Sequence, residues 1–176
     1  YEEALMGAAN GASSMTHVYN AMSPYHHRKP GMVGAAFRLR DLYGEIICDG
    51  CHSHLAAVNN FFAAKGRDHV IMVTDSLRAK HCPPGGNYQL GGHDIEIGED
   101  GLARLAGTDT IAGSTLRMNR GLRILAEEAQ VPFDARCLGV DDRKGRIAAG
   151  CDADLAVLDS DYEVLETWCR GAKIWG

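Results

Sequence analysis

The stretch His69–Thr74, HVIMVT, which runs directly into Asp75-Ser76, constrains the fold more than any other feature of this chain. An almost uninterrupted apolar run leaves no polar face for solvent, which suits a parallel strand covered on both sides. Its end is then an anomaly. A carboxylate closing such a strand is desolvated unless something opposes it, and a metal-activated water is one such partner. Two earlier stretches repeat the pattern. Ala12–Tyr19 (ASSMTHVY) reads as a short buried strand ending in His17 and Asn20, and Tyr43–Cys48 (YGEIIC) as a strand entering the turn that holds His52. Strands that each finish in chemistry-bearing residues imply a barrel or open parallel α/β sheet, where sites gather at the carboxyl ends.

The intervening segments fit that plan. Tyr1–Ala9 reads as helix at once, without an initiator Met or a capping residue, which suggests a sequence that begins inside a larger protein. Asn20–Gly34 (NAMSPYHHRKPGMVG) reads as a long loop rich in Pro, Gly and cations, of a length associated with function. Leu55–Lys65 is expected as a helix with Leu55, Val58, Phe61 and Phe62 on its apolar side. Beyond Asp75 the pattern changes: Tyr88–Ile97 and Leu102–Leu105 read as short antiparallel strands, a hairpin excursion over about 85–106. Ser114–Gln130 is expected as a helix, and Ala153–Val157 with Val164–Trp175 as strands of a separate small sheet. No internal repeat or low-complexity tract is visible.

The segment Cys48–His54, CDGCHSH, crowds four candidate metal ligands into one turn and formally satisfies both a C-x-x-C-H haem signature and an H-x-H metal pattern. A structural zinc site needs four ligands from paired elements, and the chain has no second C-x-x-C or H-x-x-x-H. The cysteines therefore read as small buried hydrophobes, the haem match as accidental, and His52 as the functional member. His54 is left open between a cap or surface role and a site role. His17, alone at the end of a buried strand, could be a core histidine or a ligand. In the loop, Arg28 among His26, His27 and Lys29 reads as solvated or as a two-pronged donor to phosphate. Gly107–Ser114 (GTDTIAGS) could offer backbone N–H groups to a ligand or simply make a turn.

Composition limits the function classes. A formal charge of -5 over 176 residues gives no basic field, so nucleic acid is not an expected partner. No run approaches the ~18 apolar residues that span a bilayer, and no leader is visible. Six cysteines without regular spacing suit a reducing cytoplasm better than a disulfide-stapled domain.

In this order, THVYNAM (16–22), RKPGMVGAAF (28–37), EIICDGCHSH (45–54), VIMVTDS (70–76), YQLGGHDIEI (88–97), IAGSTLRM (111–118), RCLGVDDRKGRIAAGCDADLAVLD (136–159) and RGAKI (170–174) resemble one family. It is the N-acetylglucosamine-6-phosphate deacetylases of the amidohydrolase superfamily. The resemblance implies an α/β fold, the C-terminal part of a (β/α)8 TIM-type barrel with strands of a small β-sandwich. Residues 1–135 would be the C-terminal half of the barrel, and 136–176 its end with the sandwich strands. It also implies hydrolysis of the acetamide of N-acetylglucosamine 6-phosphate to glucosamine 6-phosphate and acetate. His17 would ligate a divalent metal, zinc or iron, and Asp75 would be the acid/base. Asn20 and Ala21 would contact the sugar, and Arg28 would bind the 6-phosphate, reaching across a homodimer in some relatives. His52 would hydrogen-bond the sugar or polarise the acetyl carbonyl, and Ile111, Ala112 and Gly113 would border the acetyl group.

The family's other metal ligands would lie before Tyr1, so this sequence alone is expected to hold an incomplete metal shell and to be inactive. Relatives also carry an additional segment between the positions of Ala135 and Arg136. Alternative readings are an amidohydrolase acting on another N-acetyl amino sugar phosphate or a cyclic amide, and a non-catalytic half-barrel.

Overall fold

The computed structural model describes residues 1–82, 85–131 and 147–176. Three parallel strands, β1 (Ser14–Met15), β2 (Tyr43–Ile47) and β3 (Val70–Val73), lie side by side in chain order. The helices α2 (Gly31–Arg38) and α3 (Leu55–Lys65) make the crossovers, and α1 (Glu2–Ala9) precedes β1. Each strand is therefore followed by helix before its neighbour begins, the connection that parallel pairing demands.

An antiparallel meander follows: β4 (Asn87–Leu90), β5 (His93–Ile97), β6 (Leu102–Leu105) and β7 (Ile111–Ser114). The last of these returns to the first sheet, because Ser114 bridges Ser76 in parallel just beyond β3. A short helix, α4 (Met118–Arg123), continues as a π-helical turn over Ile124–Glu128. The small sheet of β8 (Leu155–Leu158), β9 (Val164–Cys169) and β10 (Ala172–Trp175) is antiparallel throughout. Asn119 on α4 reaches it by donating to the Tyr162 carbonyl at 2.9 Å.

Residue chemistry accounts for these elements. Helix α3 starts where the His54 Nδ1 accepts from the Ala56 amide at 3.1 Å, satisfying one orphan donor. It ends at Gly66, which takes the left-handed φ of 80° that a C-terminal glycine tolerates. Its buried face carries Val58 and Phe61, both 0% exposed, against Ile46 and Val18 of the core. Lys65, also buried, donates from Nζ to the Ala36 and Leu39 carbonyls at the end of α2. Burial pulls its ammonium down to about 8, with Asp41 opposing the shift. Tyr19, Phe37 and Phe61 meet edge-on with centroids 5.7–6.4 Å apart, a geometry favoured by the ring quadrupole.

Several expectations need correction. The strand expected over 12–19 contracts to Ser14–Met15, because residues 16–21 form turns instead. The expected loop over 20–34 gives way to helix at Gly31, where Pro30 supplies a helical φ of -63°. The helix expected from Ser114 begins only at Met118, since Ile111–Ser114 is captured by β6 and by the segment after β3. The expected division at 135/136 lies outside the described residues.

Gly44 occupies the middle of the sheet for a steric reason: a Cβ there would lie 2.4 Å from Cζ of the fully buried Phe61. Gly44→Ala in the full-length protein is expected to lower stability by about 1–3 kcal/mol, the usual cost of overpacking. Denaturant unfolding checks this; a change within ~0.5 kcal/mol, typical of surface positions, would contradict the packing.

Candidate active site

Parallel pairing in chain order brings the carboxyl ends of β1, β2 and β3 to one edge, neighbours about 4.8 Å apart. The turns leaving that edge contain His17, Cys48–His54 and Asp75. They are tied together by backbone bonds: the Val18 amide donates to the Glu45 carbonyl at 2.7 Å, and the Ser114 amide to the Asp75 carbonyl at 2.9 Å. The Ser114 hydroxyl adds a 2.5 Å bond to the Thr74 carbonyl. Ile111–Ser114 thus runs against Asp75. At Gly113, with φ 134°, a Cβ would come within 3.1 Å of the Asp75 carbonyl oxygen, so the close approach depends on glycine.

Two physical anomalies coincide on this edge. Among the described residues, the buried side-chain polar atoms without a hydrogen-bond partner are His17 Nδ1, His52 Nε2, Ser53 Oγ and Ser76 Oγ. All four follow the carboxyl ends of the parallel strands. Buried polar groups are nearly always paired, and an unpaired one costs roughly 1–3 kcal/mol. The second anomaly is left-handed backbone at His17 (φ 36°), Tyr19 (80°), Ala21 (52°) and Asp75 (47°), where a side chain is strained. Packing holds the first three: the Tyr19 ring sits against Phe37 and Phe61, and its hydroxyl donates to the Ala57 carbonyl at 3.0 Å.

The individual residues divide as follows. His17 is half-buried, and Asn20 donates from Nδ2 to the His17 and Val18 carbonyls at 3.3 Å, which braces the turn. Ala21 is exposed. His52 Nδ1 lies 2.6 Å from Asp49 Oδ2, with both side chains largely buried. Burial pushes the Asp49 carboxyl up, but the His52 side chain and the His52 and Cys51 amides together hold it below the ordinary carboxylate range. Asp75 is exposed, contrary to the desolvation expected from its apolar strand. β3 stops at Val73, and Asp75 lies two residues beyond it in a left-handed turn. Ile111 is exposed, Ala112 half-buried and Gly113 buried.

Arg28 stands apart. It is exposed beside a cavity of about 890 Å³ lined also by Tyr1, His26 and Lys29, which includes none of the strand-end residues. His54 resolves as the cap of α3. Cys48 is fully buried, with its thiol pushed up to about 12 by burial and by Asp49, while Cys51 is exposed. Neither cysteine needs a metal to explain it. Sequence reasoning missed Asp49 and the serines Ser53, Ser76 and Ser114. The D-x-x-H spacing of Asp49 and His52 was the available signal, obscured by the more conspicuous cysteines.

His17 fits a metal ligand in one respect, a buried imidazole nitrogen with no protein partner. Among the described residues no group of three or more His, Cys, Asp or Glu gathers to hold an ion, and no helix is long and apolar enough to cross a membrane.

A mixed α/β chain with polar groups at the carboxyl ends of parallel strands has the arrangement common to enzymes built on parallel α/β sheets, and residues 1–174 match the amidohydrolase family, to which the chain belongs. It is 43% identical over 174 residues to N-acetylglucosamine-6-phosphate deacetylase of Bacillus subtilis (strain 168), covering 93% of this chain and 43% of that protein. An Escherichia coli N-acetylgalactosamine-6-phosphate deacetylase is 33% identical, over 92% of this chain and 44% of its own length. The fold of this chain superposes with a TM-score of 0.88 and 31% identity on a mutant N-acetyl-D-glucosamine-6-phosphate deacetylase from Mycobacterium smegmatis in complex with N-acetyl-D-glucosamine-6-phosphate. That match covers 100% of this chain and 49% of that one. The chain thus spans less than half the length of the curated relatives it matches.

Burial predicts the thiol chemistry. In native protein near neutral pH an alkylating reagent should leave Cys48 unmodified until the chain is unfolded, as peptide mass mapping would show. Native-state labelling of Cys48 would contradict its burial.

Proposed function

We propose that the full-length protein hydrolyses the acetamide of N-acetylglucosamine 6-phosphate, releasing acetate and glucosamine 6-phosphate. In this reading residues 1–135 are the C-terminal half of a (β/α)8 barrel, and 136–176 its end with strands of a small β-sandwich. The observation that carries it is that unpaired buried polar atoms at His17 and His52 and left-handed backbone at His17 and Asp75 fall on one strand edge, in a chain of this family.

The roles follow from the chemistry that amide hydrolysis requires: an activated water, a polarised carbonyl and a proton for the leaving amine. A divalent ion, zinc or iron, held by His17 with ligands from outside this chain would supply Lewis acidity. Asp75, exposed at the mouth of the strand edge, takes the proton of the attacking water and returns it to the departing amine. His52 presents Nε2 toward the substrate. Asn20 and Ala21 border the sugar, and Ile111, Ala112 and Gly113 border the acetyl group, where Gly113 lets the backbone approach Asp75. Arg28 binds the 6-phosphate with its planar guanidinium. It lines a cavity that includes none of the strand-end residues, which supports a site completed by a second copy in a homodimer, the arginine serving its neighbour. We place the protein in the cytoplasm, the reducing compartment that six cysteines without regular spacing suit best.

A second reading, deacetylation of the C4 epimer, is favoured by the 33% identity to the galactosamine-series enzyme. Parallel kinetics with both epimers separate the two.

Asp75→Asn is expected to lower kcat by about 10²-fold or more, the scale of general acid–base catalysis, with little change in KM. Turnover near the wild-type rate would remove Asp75 from the chemistry. Arg28→Ala should raise KM for the phosphorylated substrate and leave N-acetylglucosamine itself unaffected; equal effects on both would contradict phosphate recognition.

A further inference from the structure

We infer that Asp49 is a positioning residue: it fixes the tautomer and orientation of His52, so that Nε2 faces the substrate as a hydrogen-bond acceptor in the neutral ring. Asp49 receives three contacts. Its Oδ1 accepts from the Cys51 amide at 2.9 Å and the His52 amide at 2.8 Å, closing the turn, while Oδ2 faces His52 Nδ1 at 2.6 Å. An ionised carboxylate can only accept, so Nδ1 must carry the ring proton. The side chains are 3% exposed for His52 and 10% for Asp49, so the pair is shielded from competing water. The far nitrogen, Nε2, is buried without a partner among the described residues, and in the neutral ring it holds a lone pair.

This sharpens the role of His52. A neutral ring held in this way accepts from a hydroxyl of the sugar; it donates to a carbonyl oxygen only when doubly protonated. The assignment of that hydroxyl as the partner rests on the deacetylase reading, whereas the tautomer does not.

Asp49→Asn separates positioning from a merely structural role. Asparagine closes the same turn as aspartate, so loss of turn geometry is not expected. The two backbone amides require an acceptor, which holds the Asn oxygen in place of Oδ1. The NH2 group is then left facing His52 Nδ1 and must donate to it. The ring proton moves to Nε2, and the substrate-facing atom changes from acceptor to donor, as when an Asp→Asn change traps the wrong tautomer in a catalytic triad.

The test uses full-length protein with 15N-labelled histidine, at a pH where the ring is neutral, the His52 signal being assigned by its loss in His52→Gln. The expected result is a protonated Nδ1 in the wild type, a protonated Nε2 in Asp49→Asn, and kcat/KM for N-acetylglucosamine 6-phosphate lower by about tenfold, the scale of one hydrogen bond. A wild-type neutral ring protonated at Nε2 would overturn the inference whether or not the variant folds. So would Asp49→Asn deacetylating at the wild-type rate. Wild-type protein with no deacetylase activity would instead overturn the proposed function, with the tautomer still measurable.

Discussion

Parallel pairing of β2 between β1 and β3, with Met15 opposite Gly44, Gly44 opposite Val70 and Ile47 opposite Val73, is the constraint on which the rest of the structure depends. A parallel sheet sends every strand out at the same edge, so the turns that follow must lie together whatever residues they carry. The pairing requires helices over the sheet, and these are what bury Ile46, Val58, Phe61 and Val18. Gly44 is the point where strand and helix meet most closely, because the Phe61 ring occupies the space a side chain would need.

The same core fixes the turns that follow the strands. Left-handed backbone at His17, Tyr19 and Ala21 is unfavourable locally, and it persists because the Tyr19 ring is wedged against Phe37 and Phe61 while its hydroxyl bonds α3. Packing energy is in effect converted into the orientation of His17. At the next strand the orienting force is electrostatic, the Asp49 carboxylate beside His52. At the third it is backbone pairing, with Ser114 bound to the segment around Asp75. Three different interactions thus hold three turns at one edge.

Strands β2 and β3 and the polar residues that follow them were legible because continuous apolar runs and terminal polar residues are local signals. Helix α3 was legible to the residue, since its apolar face and Gly66 are written into the sequence. What escaped depends on distant partners. Ile111–Ser114 has little apolar character, and it becomes a strand through β6 and Ser76. Helix α2 hides behind a stretch whose Pro, Gly and cations suggest a loop, although Pro30 is well suited to start a helix. The exposure of Asp75 could not be read from its strand, because Asp75 lies beyond the strand's end in a left-handed turn. In CDGCHSH the eye goes to the cysteines, yet the buried polar pair is Asp49 with His52, and His54 caps a helix.

The central claim is that His17, and not the cysteine-rich turn, anchors the metal of a hydrolytic centre on this edge. Anomalous diffraction at the metal edge from crystals of the full-length protein tests it most directly. The expected result is a peak bonded to the His17 imidazole, with the Asp75 carboxylate and His52 facing the same space. A peak held by Cys48, Cys51, His52 or His54, with none at His17, would contradict it.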